Sequence, residues 1–205
     1  MKIVPISHII ETCLNEKKIG KFIEKRGRTA YKSENKISDY SYIKFIKMLI
    51  SRGHESVLEH YYITVKFITD RGVSHELVRH RIASYTQEST RFCNYSKNDI
   101  EFIAPIFKND HSITVWKEVM EDLEKRYKYL ISIEEPPQLA RSILPNSLKT
   151  EIDCTMNLRE WRHFMKERAI NSNAHPQMRF MANQLLKEFK EKIPIFFEDF
   201  DVESI

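Results

Sequence analysis

Glycine is scarce in this chain, four among 205 residues. Neither a G-x-G-x-x-G turn nor a G-x-x-x-x-G-K-[ST] loop occurs, so a dinucleotide would not be bound through a Rossmann turn or a P-loop. Cysteine is nearly as rare. Cys13, Cys93 and Cys154 are far apart, odd in number and without a C-x-x-C pair, which excludes a disulfide framework and a zinc ribbon and points to a reducing cytoplasm. Long apolar runs are missing: no segment approaches a membrane span, and the run within Met1 to Ile10 is too short for a signal peptide. A dominant charge is missing too. With 33 basic and 29 acidic residues the net charge is +4, too balanced for a nucleic-acid sleeve but compatible with local basic pockets. No Pro/Gly/Ser linker and no repeat divides the chain, so one compact domain over residues 1–205 is expected.

What is present is enough for a core, with 41% apolar and 11% aromatic residues. Lys2 to Ser7 reads as an edge strand. Ser38 to Arg52 carries Ile43, Ile46, Met48, Leu49 and Ile50 at helical spacing, with Ser38 as cap and Gly53 as stop. From Tyr61 to Thr69 the period changes to two, a strand with one buried face, and Leu148 to Met156 alternates in the same way. Gly72 should end the first of these strands, and Ser74 should cap a short helix through Arg81. A long amphipathic helix is expected from Ser112 to about Glu135, stopped by Pro136 and Pro137. Asn157 and Glu160 form a capping box for a helix to about Ile170, and Pro176 opens a last helix to about Lys192. Strands and helices mix irregularly, which predicts an α+β fold: an antiparallel-rich sheet flanked by helices.

The chemistry concentrates between Arg79 and Arg91. Thirteen residues hold three guanidiniums, one imidazole and five hydroxyls against the single carboxylate of Glu88. Arginine forks match phosphate oxygens two at a time, and Ser or Thr hydroxyls complete such a cage, so a phosphorylated or polyanionic small molecule is expected here. The plain alternative is a salt-bridged surface turn. On a helix through Arg81, Glu76 would lie one turn before Arg79 and His80.

In the helix after Asn157, Arg159 and His163 share a face, while Arg168 lies nine positions beyond Arg159, half a turn away at α-helical pitch. Either one face is simply solvated or the helix sits between two sites at a subunit boundary. His54 and His60 are six apart and lack the spacing of an H-E-x-x-H metal site; a polar loop contributing His54 and Ser56 to a ligand fits better. No metal site is expected. Ser89, close to Arg91, suits an oxyanion ligand rather than a nucleophile, and Cys93, flanked by Phe92 and Tyr95, suits packing.

Arg79-His80-Arg81 followed after seven residues by Ser89 resembles the signature of the flavin-dependent thymidylate synthases. Further motifs fall in the same order: Arg28-Thr29-Ala30-Tyr31, Gly53-His54-Glu55-Ser56 with Glu59-His60, Ser74-His75-Glu76-Leu77-Val78, Ala140-Arg141-Ser142-Ile143-Leu144-Pro145, Asn157-Leu158-Arg159-Glu160-Trp161-Arg162, and Ala174-His175-Pro176-Gln177-Met178-Arg179. The resemblance runs from about residue 2 to 200. It implies a homotetramer with FAD sites at subunit contacts, making dTMP from dUMP. Methylenetetrahydrofolate would give the one-carbon unit, and FAD reduced by NADPH the hydride. Carried over by position, it implies an FAD site lined by His54, Ser56, Arg79, His80, Arg81, Asn157, Arg159 and His163. The dUMP site would take Glu76, Arg79, Gln87, Ser89, Arg91, Arg141 and Arg168, with Arg168 as the catalytic group. Ala30 has no side-chain hydrogen bond to offer. No nucleic acid and no membrane partner is implied. The competing class is a basic RNA- or nucleotide-binding module without catalysis, which would use the same arginines but carry no yellow chromophore.

Overall fold

The computed structural model describes residues 1–201. Strands β1 (Lys2–Ile3) and β2 (Ser7–Ile10) come first, separated around Pro5, so the single edge strand expected there is two short ones. Helix α1 (Glu16–Tyr31) follows, then α2 (Ser41–Ser51), a 3-10 segment (Glu55–His60), β3 (Tyr62–Asp70), α3 (Arg71–Leu77), β4 (Ala83–Gln87) and β5 (Glu101–Phe102). The second half holds α4 (Asp110–Ser132), α5 (Pro137–Ala140), β6 (Lys149–Asn157), α6 (Leu158–Met165) with a π turn (Lys166–Ile170), and α7 (Pro176–Lys192).

Four strands form one sheet in the order β2-β3-β6-β4, and β1 pairs with β5 in parallel. β3 and β6 run antiparallel. The N–H of Arg71 reaches the carbonyl of Leu148 at one end, and that of Leu158 reaches Tyr61 at the other. Both long strands alternate as their sequences require: Ile63, Val65 and Phe67 are buried in one, Thr150, Ile152, Cys154 and Met156 in the other.

By its contacts the chain falls into two compact units of interleaved segments. Unit 1 comprises Met1–Ile9, Lys66–Arg79 and Tyr85–Asp153; unit 2 comprises Ile10–Val65, His80–Ser84 and Cys154–Ile205. The core of unit 1 gathers Ile100, Phe102, Trp116, Met120, Tyr127, Ala140 and Leu148, and the Trp116 indole N–H donates to the Ser147 hydroxyl at 3.0 Å. In unit 2 the Trp161 indole donates to the Ile63 carbonyl, with Phe164 and Phe189 edge-on to its ring and Phe197 stacked on Phe189.

Several local expectations need correction. Helix α1 has no counterpart in the sequence reading, because its two glycines and many charges mask the apolar stripe. Its reason is tertiary: a Cβ on Gly20 would sit 2.2 Å from the Tyr42 ring and one on Gly27 2.6 Å from the Phe45 ring, so α2 presses its aromatics against bare backbone. Ser38 does not cap α2; its own N–H donates to the Ser41 hydroxyl. Gly53 does end that helix, at φ 69°. Asp70, not Ser74, caps α3 by accepting from the Val73 N–H, and Gly72 lies inside the helix. Because α3 stops at Leu77, Arg79, His80 and Arg81 are not helical and the face shared with Glu76 does not exist. The cap at Asn157 holds, with its side chain accepting from the Glu160 N–H at 2.8 Å.

Candidate functional site

In unit 1 the expected anion ligands gather around the turn after β4. The Ser89 hydroxyl accepts from the Arg91 N–H at 3.4 Å, and the Ser89 carbonyl takes the N–H groups of Phe92 and Cys93, which fixes a tight turn. Arg141 donates to the hydroxyl of Thr90 at 3.1 Å. Ser89, Thr90, Arg91 and Arg141 therefore belong to one neighbourhood. No carboxylate pairs with Arg79, Arg91 or Arg141 among the described residues, and all three are exposed. The Gln87 amide NH2 donates to the Ser74 hydroxyl at 2.9 Å and the Thr150 hydroxyl at 3.2 Å. Glu88 accepts from the Tyr95 hydroxyl at 2.6 Å, and burial followed by that carboxylate pushes the Tyr95 phenol upward. The sequence reading missed Arg71. Its Nη1 is buried with no hydrogen-bond partner, a costly state for a guanidinium.

In unit 2 the expected flavin-side residues line up on α6. A cavity of about 730 Å³ is lined by Asn157, Arg159 and His163 together with Ile82, Glu160, Lys166 and Phe200. That is the size of a cofactor site. His54, Ser56, Arg79, His80 and Arg81 do not line it, although Glu55 and Glu59 of the 3-10 segment do. Arg159 pairs with Glu59 at 2.5 Å, both about half exposed. Such a surface pair is worth less than about 1 kcal/mol, so an incoming phosphate can displace the carboxylate. Arg162, unremarked in the sequence, is an anchor. Its buried guanidinium meets Glu55 at 3.1 Å, the Phe196 carbonyl at 2.5 Å and both oxygens of Asp199 at 2.7 and 2.6 Å.

His80 is buried and its ring connects three other groups. Arg168 Nε donates to His80 Nε2 at 3.1 Å, so Nε2 must be unprotonated and the proton sits on Nδ1, 3.5 Å from Glu160 Oε1. His163 and Phe164 approach the ring edge-on at 5.7 and 5.1 Å. Burial, then the positive Arg168 and then His163, push the His80 pKa down to about 4. The ligand atoms of His80, Glu160 and His163 lie within 4.8 Å of one another, but with Nε2 taken by an N–H and Nδ1 carrying the proton, His80 offers a metal no lone pair.

The α-helical pitch that would set Arg168 opposite Arg159 does not hold through this segment. A straight α-helix would put it opposite Arg159. The π turn after Met165 changes the register, and Arg168 reaches the same imidazole that contacts His163.

Residues 8–195 match the sequence model of a family described as thymidylate synthase complementing protein. The chain belongs to that family. It is 36% identical over 171 residues to a flavin-dependent thymidylate synthase of Pyrococcus furiosus, covering 81% of this chain and 70% of that protein. A flavin-dependent thymidylate synthase of Corynebacterium aurimucosum is 32% identical over 206 residues, covering 89% and 80%. A crystal structure of a UMP/dUMP methylase, PolB from Streptomyces cacaoi, bound with 5-Br dUMP superposes with a TM-score of 0.80 over 97% of this chain and 96% of that chain at 20% identity, a likeness of fold. The fold is thus α+β, mixed helices with an antiparallel sheet, as expected from the sequence.

Proposed function

We propose that this protein methylates dUMP to dTMP as a flavin-dependent thymidylate synthase. The observation that carries the reading is the turn at Ser89 to Arg91 with Arg141 beside it: the hydroxyls of Ser89 and Thr90 and the guanidiniums of Arg91 and Arg141 in one neighbourhood, within a chain whose family match runs from residue 8 to 195. In this reading Ser89, Arg91 and Arg141 clamp the nucleotide phosphate, and Arg79, Glu76 and Gln87 complete the nucleotide contacts. The orphaned Nη1 of Arg71 supports an anion in the same unit.

The residues around the unit 2 cavity suit FAD. Arg159, Lys166 and His163 are cationic or hydrogen-bonding heads for a diphosphate, while Ile82 and Phe200 offer apolar surface to a planar ring. His54, Ser56, Arg79, His80, Arg81 and Asn157 are the further positions assigned to it. When bound, reduced FAD would supply the hydride that completes the methyl group, with methylenetetrahydrofolate as one-carbon donor and NADPH as reductant. The chain's own contribution is positional and electrostatic. Arg168, held by His80, presents its guanidinium to a pyrimidine carbonyl and stabilises the charge that develops there.

A homotetramer with sites shared between subunits and a cytoplasmic location belong to the same proposal. The three unbonded cysteines support a reducing compartment. We take residues 1–205 as one functional domain because the family match spans segments of both units. The test is direct. The purified protein should carry or take up FAD with a visible flavin spectrum, and should form dTMP from dUMP, methylenetetrahydrofolate and NADPH. Uptake of neither flavin nor dUMP would leave the non-catalytic binding module instead.

A further inference from the structure

Outside the cavity on α6, unit 2 has a second hollow of about 570 Å³ along α1 and α2, lined by Arg28, Tyr31, Ser33, Lys36, Ser41, Lys44, Phe45, Met48 and Arg52. Its lining holds four cations and no carboxylate. Outside the hollow, Lys17 and Lys21 pair with Asp39, and Lys47 with Glu198 at 2.7 Å. Arg28 is fixed by the buried Glu24, which also takes the Ser41 hydroxyl. Lys36, Lys44 and Arg52, by contrast, have no ion-pair partner among the described residues. Below these heads lies an apolar floor of Phe45 and Met48, with the Tyr31 ring edge-on to Phe45 at 6.3 Å.

The spacing says what kind of anion fits. Lys44 and Arg52 are eight residues apart, about 12 Å along a helix. Cations spaced in this way suit a ligand whose charges are spread along its length better than one compact phosphate. The hollow also adjoins a residue assigned to the flavin: the Tyr31 hydroxyl lies 3.3 Å from His54 Nδ1. We propose that this hollow binds an extended organic polyanion, the charged end of a co-substrate whose reactive end works beside His54. The inference rests on the functional reading above, in which two co-substrates carry such ends: the γ-linked glutamates of a folate and the phosphates of a reduced dinucleotide. Both present negative charges in series, and both are recognised by separated cations over an apolar floor.

The experiment uses the FAD-loaded protein and the triple variant Lys36→Ala/Lys44→Ala/Arg52→Ala, with Lys47→Ala as a control cation outside the hollow. KM is measured for methylenetetrahydrofolate bearing one or five glutamates and for the reduced dinucleotide. Calorimetry with penta-γ-glutamate alone gives a readout independent of turnover. Loss of three exposed charge contacts should raise the affected KM by roughly tenfold. A rise confined to the pentaglutamate, with loss of penta-γ-glutamate binding, assigns the folate tail; a rise confined to the dinucleotide assigns its phosphates. Unchanged constants, or an equal change in Lys47→Ala, overturn the proposal. A wild-type protein that forms no dTMP would instead remove the functional reading, and the calorimetric titration would still decide whether the hollow takes a polyanion.

Discussion

In unit 1, Arg79, Arg91 and Arg141 stand exposed, the last two beside hydroxyls; in unit 2, Arg162 is buried against two carboxylates and a carbonyl, and Arg168 is held by His80. The same side chain is used for two different purposes. A guanidinium left in water beside neutral donors loses little when it awaits an anion, because solvent screens it. One taken out of water must be matched by the protein itself, and is then rigid. The exposed arginines of unit 1 remain open to solvent, whereas Arg162 and Arg168 of unit 2 are fixed by protein partners.

The largest expected effect tests the buried case. Arg162→Ala leaves Asp199 and Glu55 without their partner and the Phe196 carbonyl without its donor, and should lower stability by about 3 kcal/mol. Denaturant unfolding measures it. Arg91→Ala, by contrast, should lie within about 0.5 kcal/mol of wild type. Equal losses in the two variants would erase the distinction between the units.

Next comes Arg168→Ala, which should keep FAD binding and flavin reduction while methyl transfer falls on the order of a hundredfold, the loss expected from one preorganised donor. Arg168→Lys should recover part of that, because lysine keeps the charge but not the Nε–H aimed at His80. Following flavin reduction and dTMP formation separately distinguishes this from loss of the cofactor. Release of FAD with transfer intact would put the arginine in the wrong site.

Ser89→Ala should weaken dUMP binding by about 1–3 kcal/mol and leave measurable turnover, since the hydroxyl is assigned a hydrogen bond and no covalent step. Abolished turnover in a folded variant that still binds dUMP would argue for a nucleophile at this position.

The last effect is in pH. His80 has a folded pKa near 4 against about 6.5 when unfolded. Between those values the unfolded chain binds a proton that the folded chain refuses. The contribution is therefore complete above about pH 6.5 and lost as pH falls toward 4. Thermal melts of wild type and His80→Gln over that window should differ in slope, wild type losing stability faster. Parallel curves would mean that His80 is not held neutral by its surroundings.

Much of this was legible in the linear chain. Period-two alternation placed β3 and β6 because a strand with one buried face has no other way to pattern its residues. Asn157 and Pro176 announced their helices through local backbone chemistry, which needs no tertiary partner. The density of cations and hydroxyls from Arg79 to Arg91 is what suggests an anion site there, and motif order gave the family.

What tertiary structure alone decided has a common cause: the energy came from groups distant in sequence. Helix α1 exists because Gly20 and Gly27 admit the Tyr42 and Phe45 rings, a fit that no propensity expresses. The end of α3 at Leu77 freed His80 to turn inward between Arg168 and Glu160, which are 88 and 80 positions away. The π turn re-aimed Arg168 by a change of pitch invisible to a count of nine residues. Residue type and order determined which chemistry the chain carries. Packing determined which arginines are free to receive an anion and which are fixed in place, because solvation depends on what surrounds a charge in space.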